Sequence, residues 1–334
     1  MLTVDLKSLS FEQRAQLAKG AGTPGDVLAR LLRDNSKHVR QALAERVDCP
    51  PEFLSRLAVD KQREVRCAAA QNPSCPPDLL VALSADPDVY VCAAVGENPN
   101  CPPHLLSLLA AQKNAGVRCA VGMNSSCPIS LMHTLAKDEN NEVRIAVARN
   151  KSCPLRLLEQ LSKDPAVSVQ IAVVKHHACT TEMLNNAVNQ AGESVCFHIA
   201  SLPECPSEIL VDLAGSTHKY VRRAVARHKL TPIKICVKLA FEDWSKVVQF
   251  EARTALAERK DDEWLKAAQA GLTLDVNCKD AAGGQSLGNL LLRSGFSNAY
   301  QIIQAVELNL KIDMDPRVSP CAASVPGKSS ALRM

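Results

Sequence analysis

The chain has 334 residues, a formal net charge of +4, 46% hydrophobic residues and only 3% aromatic ones. That charge is too small for a general nucleic-acid coat, and no apolar run approaches the roughly 18–20 residues a membrane span needs. A core drawn from Leu, Ala and Val must rely on close backbone approach rather than on aromatic plates.

Residues 1–22 read as an N-terminal cap helix. Asp5 and the lack of an apolar stretch argue against a signal peptide. Ser10 with Gln13 three residues on makes a capping box, and Phe11, Ala15 and Leu17 are placed to cover the first unit. A strict repeat follows over residues 23–260. Cys49, Cys75, Cys101, Cys127, Cys153, Cys179 and Cys205 recur every 26 residues, and Thr23 and Thr231 hold the same slot at either end. Nine units of fixed period define a solenoid, in which each unit buries its apolar face against its neighbours.

Each unit holds two short helices. The first starts at Pro50, Pro76, Pro102, Pro128, Pro154 or Pro206, because Pro is tolerated at the first helical position. Its brevity allows either α or 3₁₀ geometry. The second is expected to be N-capped by Asp34, Asp60, Asp86, Asp138 or Asp164. It carries an apolar stripe that begins at Val39, Val65, Val91, Val117, Val143, Val169, Val195 and Val221 and continues three and four residues later. Asn72, Asn98, Asn124 and Asn150 close it, a residue type that tolerates the left-handed C′ conformation. Unit seven breaks the pattern, with Thr180, Ala187, Gln190, Cys196 and His198 in place of the usual residues.

The phrase CPxxLLxxLAxDPxxxVRxAVAxNP resembles the leucine-rich repeat variant family, and its second half resembles HEAT and armadillo repeats. The resemblance implies an all-α, right-handed superhelical solenoid of about nine α/3₁₀ units with helical caps. Solenoids in general offer extended concave faces on which a partner can dock. The family's best-known form carries a cysteine-rich iron–sulfur segment before its repeats. Residues 1–48 contain no cysteine, so no cofactor is expected. Residues 261–316 resemble ankyrin repeats at Asp275-Val276-Asn277, Asp280, Gly283 and Gly295, though Gln285-Ser286-Leu287-Gly288 replaces the usual tetrapeptide. They read as a helical C-terminal cap, and residues 317–334 as a disordered tail.

Four constellations are candidates for function. Arg40, Arg66, Arg118, Arg144 and Arg222 share one slot, either as a phosphate-binding stripe or as a structural ladder paired to Asp six residues earlier or in the adjacent unit. The ladder is the expected reading. The fourteen cysteines are expected to be free. Consecutive helical units advance by about 10 Å, whereas a disulfide needs Cα atoms within about 7 Å, and free thiols fit a reducing cytoplasm. His176, His177, Cys179, Cys196, His198 and Cys205 gather near unit seven without metal-motif spacing, so a degenerate unit or hinge is weighed against a metal or redox site. The run 218–238 holds Arg222 and the surface candidates Lys219, Arg223, Arg227, Lys229, Lys234 and Lys238 with no acid.

Phosphate loops, nucleophile elbows and zinc-protease helices are absent from the sequence. The expected function is a non-enzymatic cytoplasmic scaffold for a protein partner, with no membrane association. The alternative is nucleic-acid or phosphate binding through the basic run. Val143→Ala should cost about 1–3 kcal/mol as a core truncation, and Val195→Ala less if unit seven is loosely packed. Urea unfolding of the two variants measures both.

Overall fold

The structure is a computed structural model that describes residues 5–280 and 283–314. Its contacts divide into two compact units, Met1–His198 and Ile199–Met334. The expected tail at 317–334 lies outside the described residues. No helix among them is long and apolar enough to cross a membrane.

In the first unit, helices Gly25–Leu31, Pro51–Leu57, Pro77–Ser84, Pro103–Ala110, Ile129–Leu135, Leu155–Leu161 and Thr181–Gln190 alternate with a second set. That set is Lys37–Ala44, Arg63–Gln71, Val89–Glu97, Ala115–Met123, Asn141–Arg149 and Val167–Val174. The first helix of each repeat is α rather than 3₁₀ despite its 7–10 residues. The leading Pro is its N-cap rather than its first residue: Pro76 is extended, with φ −62° and ψ 146°, and its carbonyl accepts from Leu79 and Leu80 N–H. The second prolines, Pro51, Pro77 and Pro103, take the first helical position.

The second helices stack directly on one another along the array. Val39, Val65, Val91, Val117, Val143 and Val169 are fully buried along this stack, as is Val195. Val195 is therefore no more exposed than Val143. Small residues set the spacing. A Cβ added to Gly96 would stand 3.3 Å from the Ala120 Cβ, and one added to Gly122 equally close to Ala146.

Two polar ladders tie the repeats together. The Asp residues expected to be N-caps are not. The caps are Ser36, Gln62, Asp88, Asn140 and Ala166, whose backbone N–H groups donate to the Asp Oδ1 two residues earlier at 2.8–2.9 Å. The Asp carboxylate turns the chain before the helix and is left facing the preceding repeat. There the Arg of that repeat donates Nε and Nη2 to both carboxylate oxygens: Arg40–Asp60, Arg66–Asp86, Arg118–Asp138 and Arg144–Asp164, at 2.6–3.0 Å. The same guanidinium reaches back through Nη1 to the carbonyl oxygen six residues earlier, as Arg144 does to Asp138 at 2.8 Å.

Arg14 makes the same contact with Asp34 at 2.6 Å. It stands 26 residues before Arg40, so helix Phe11–Lys19, with its Ser10–Gln13 capping box, is the second helix of an incomplete repeat rather than an unrelated lid. Phe11 is 45% exposed, whereas Ala15 and Leu17 pack on the core.

The asparagines do not close their helices through a left-handed residue. Asn98 has φ −65° and ψ 123°, and the others are similarly extended. Each buried Asn is selected instead for its amide. Nδ2 donates to two carbonyls of the preceding repeat at 2.5–2.9 Å, and Oδ1 accepts the N–H two residues on, as from Ser74, Asn100, Ser126 and Ser152. Three of the four amide bonding sites are thereby satisfied inside the core.

The second unit holds helices Ser207–Leu213, Lys219–Arg227, Ile233–Glu242, Lys246–Ala257 and Asp261–Gln269. Arg222 pairs with Asp243 at 2.6 Å, and the separation of 21 residues rather than 20 locates one inserted residue. Arg259 donates to the carbonyls of His228, Lys229 and Thr231. The C-terminal segment is not wholly helical. Antiparallel strands Asn277–Asp280 and Gly283–Ser286, whose glycines disfavour helix, precede helices Leu287–Arg293 and Ser297–Met314. Gly295, at φ 83°, makes the expected turn between those helices.

Removing one partner of a ladder pair leaves a charge stranded away from water. Arg144→Ala should therefore cost on the order of 3 kcal/mol, the low end for a buried pair, because the two side chains remain 13% and 6% exposed. The double variant Arg144→Gln/Asp164→Gln should lose much less than the two single variants together, since both charges leave at once. Urea midpoints and slopes of the three variants test this.

Candidate interaction surface

Most of the charge that repeats in this chain is used internally. Burial pushes the Asp60 carboxyl up, but bonds from Arg40 and the Gln62 N–H outweigh it and hold the group below its ordinary value. Asp34 and Asp86 behave alike. The hydrogen bond to Asp164 raises the Arg144 pKa. An Arg held on both sides in this way offers no free fork to a phosphate.

The cysteines are spent in the same way. Cys49, Cys75, Cys101, Cys127, Cys153 and Cys205 are 0–6% exposed. Burial lifts their thiols to about 11, and to about 12 for Cys75, so the nucleophilic and metal-binding thiolate is suppressed. Among the described residues, no three His, Cys, Asp or Glu side chains gather to hold a metal.

Where the array departs from pattern, its parts change in pairs. Cys92 occupies the Arg slot and Gln112 the matching Asp slot; Gln170 and Gln190 do so three repeats later. Gln170 Nε2 keeps the backbone contact, donating to the Asp164 carbonyl at 2.8 Å. A cavity of about 580 Å³ lies beside this second pair, lined by Gln170, Asn186 and Gln190 among others. His176 takes the Asn slot. Its Nε2 faces the Asn150 carbonyl at 3.0 Å, and its Nδ1 accepts from Ala178 N–H, which fixes the neutral Nε2–H tautomer. His228 repeats this with Leu202 and Leu230. The His–Cys gathering seen in the sequence is thus made partly of residues doing an asparagine's work.

The basic run separates into distinct placements. Arg222 is buried on Asp243. Arg223 and Arg227, one turn apart on helix Lys219–Arg227, share Glu251 at 2.6 and 3.6 Å. Lys219 stands over the Tyr220 ring. Lys229 lies in the following turn, whereas Lys234 and Lys238 are exposed on helix Ile233–Glu242. Two of the six cations thus share one carboxylate, and two others are exposed on a different helix.

Aromatic and apolar side chains stand exposed beside this run. Tyr220, Trp244, Val247 and Phe250 are 54%, 73%, 52% and 69% exposed, and they belong to or adjoin the neighbouring helices Lys219–Arg227 and Lys246–Ala257. The Trp244 ring lies 4.2 Å from the Arg222 guanidinium carbon. Allowing for the one-residue insertion before Asp243, Phe250 stands in the repeat slot of Arg223 and Val247 in that of Tyr220. That register could have placed them together beforehand.

On the second helices of the first unit, or at their C-caps, stand the nonrepeating positions Gln41, Glu45, Gln71, Tyr90, Glu97, Met123, Arg149 and Lys175. Several pair laterally, Gln41 with Glu45 and Gln71 with Glu97, while Tyr90 and Met123 are exposed.

The family model for the leucine-rich repeat variant matches residues 63–88 and 142–166. Each segment spans the second helix of one repeat and the first of the next, the stretch joined by the Arg–Asp pair. Those two segments match leucine-rich repeat variant units, and both lie within the helical array. Among solved structures, one described as a leucine-rich repeat variant with a novel repetitive structural motif is similar at 20% identity, covering 75% of this chain and 98% of its own, with a TM-score of 0.49. The Escherichia coli protein YibA is similar at 16% identity, covering 93% and 98%, with a TM-score of 0.29. No curated protein matches the chain.

Burial, the largest cause, depresses the His176 pKa below 6.5 against the opposing pull of the Asn150 carbonyl. The unfolded state then takes up the proton first. His176 contributes its full stability above about pH 6.5 and loses it as pH falls through the window below. His198, also depressed by burial, acts in the same window. His176→Asn, which restores the residue found at Asn150, should flatten part of the stability loss between about pH 7 and pH 5. Urea midpoints measured across that range would show it, and an unchanged profile would remove His176 from the account.

Proposed function

We propose that the protein is a non-enzymatic binding scaffold whose helical repeats present a surface to another protein. The observation that carries this reading is the exposed group Tyr220, Trp244, Val247 and Phe250 beside Arg223 and Arg227. Monomeric proteins rarely leave such apolar groups together in water without use, and Trp, Tyr and Arg dominate the energetics of protein interfaces. Glu251 between the two arginines lowers the local positive charge, which favours a protein partner over a polyphosphate at this place.

A second reading is nucleic-acid or phosphate binding through residues 218–238. Its support is Lys234 and Lys238, exposed one turn apart with no carboxylate partner among the described residues. Such binding must weaken steeply with salt.

The double variant Trp244→Ala/Phe250→Ala should fold normally and lose at least about 2 kcal/mol of affinity for any protein that the wild type retains specifically. Capture from native lysate at low and high salt, with and without crosslinking, measures it. Equal retention by both proteins would refute the assignment of this surface. Salt-sensitive binding of RNA or DNA lost in Lys234→Glu/Lys238→Glu would establish the second reading in its stead.

A further inference from the structure

The first compact unit contains a basic concavity that no ladder consumes. Helices Asn141–Arg149 and Val167–Val174 are neighbours in the stack, and the residues at and just beyond their C-terminal ends enclose a cavity of about 260 Å³. Arg149, Lys151, Lys175 and His177 line it, with Ile171, Ala172 and His176, and no carboxylate is among the lining residues. The four polar groups are exposed, and Arg149, Lys151 and Lys175 have no ion-pair partner among the described residues. The contrast is internal to the molecule: the ladder arginines meet an aspartate, and Arg223 and Arg227 meet a glutamate.

Helix dipoles account for part of this arrangement, since a cation at a helix C-terminus is favoured with or without a ligand. Arg149 is in a last turn and Lys175 is a C-cap. Lys151, two residues beyond helix Asn141–Arg149, adds positive charge at a place where the dipole no longer accounts for it, and His177, beyond helix Val167–Val174, adds an exposed imidazole ring. Of the two carbonyls that an Asn in this slot contacts, the His176 ring nitrogen takes one, Asn150 O. His176 is held neutral by its two backbone contacts and serves as floor rather than as a charge. It supports the His177 ring, 4.3 Å away centre to centre.

We propose that Arg149, Lys151, Lys175 and His177 form a binding site for a phosphate monoester dianion. Arg offers a planar fork matched to phosphate oxygens, and the lysines add mobile point charges. The volume is below the roughly 300–1,000 Å³ of sites that enclose drug-sized ligands, which suits a single tetrahedral oxyanion on a stem better than a nucleotide. The site lies in the first compact unit and is independent of the Tyr220–Phe250 surface.

Backbone-resolved NMR titration of the full chain tests the proposal with three probes: inorganic phosphate, N-acetyl-phosphoserine amide and N-acetyl-serine amide. Both phosphates should shift the amides of residues 149–151 and 175–177 saturably at low salt, with affinity falling as salt rises, while the serine amide should not. Arg149→Ala and Lys175→Ala, both at exposed positions, should each weaken the phosphates by about tenfold. Lys61→Ala, at an exposed position three repeats earlier in the array, should leave them unchanged. Tighter binding of the phosphoserine amide than of free phosphate would mark the ester as the ligand, and the reverse would mark the free ion. Shifts spread over all surface cations, or phosphate binding unaltered by Arg149→Ala and Lys175→Ala, would overturn the proposal.

Discussion

The solenoid depends on one contact, the two-pronged bond from the Arg of one repeat to the Asp of the next. Apolar burial drives the repeats together but is non-directional, and two smooth rows of Val and Ala could slide past one another. A guanidinium that grips a carboxylate with Nε and Nη2 while its Nη1 holds a carbonyl of its own repeat fixes register as well as distance. The Asp spends its remaining capacity on the backbone N–H that turns the chain into the next helix. Local structure and stacking are therefore set by the same side chain. The asparagine ladder does this at the other end of the helix, joining its own turn to two carbonyls of the previous repeat.

Paired substitution follows from the electrostatics. An isolated buried charge costs several kcal/mol, while removing both partners is close to neutral. A repeat can therefore lose Arg only if its successor loses Asp. Cys92 goes with Gln112, and Gln170 with Gln190. Both replacements keep the cheaper backbone contact: Cys92 Sγ points to the Asp86 carbonyl and Gln170 Nε2 to that of Asp164. These repeats are adaptations of the ladder to neutral residues, which is a closer description than degeneracy.

Much of the fold was legible in the sequence because period and composition are one-dimensional properties. The 26-residue spacing, the Val stripe and the Pro starts specify paired helices without coordinates. What could not be read were roles that depend on the third dimension. Asp before a helix looks like a cap on propensity alone, yet its oxygens face a guanidinium 20 residues away in sequence. Asn after a helix looks like a left-handed terminator, yet it is an extended residue chosen for its amide. Arg14 does not stand out in a frame set by the cysteine slot, because the incomplete repeat to which it belongs has no cysteine.

The surface was less legible for the same reason. A run of seven cations in sequence is divided by the helical period among a buried pair, a shared glutamate and two separate helices. A cluster such as Arg149, Lys151, Lys175 and His177 assembles from residues one repeat apart, so no window along the chain shows it. In a stacked array the informative comparison runs across equivalent positions of neighbouring repeats. Positions that carry a charge in one repeat and its partner in the next hold the array together. A cation that recurs in neighbouring repeats without a partner adds repulsion and no register, and such positions are where an external anion gains most from binding.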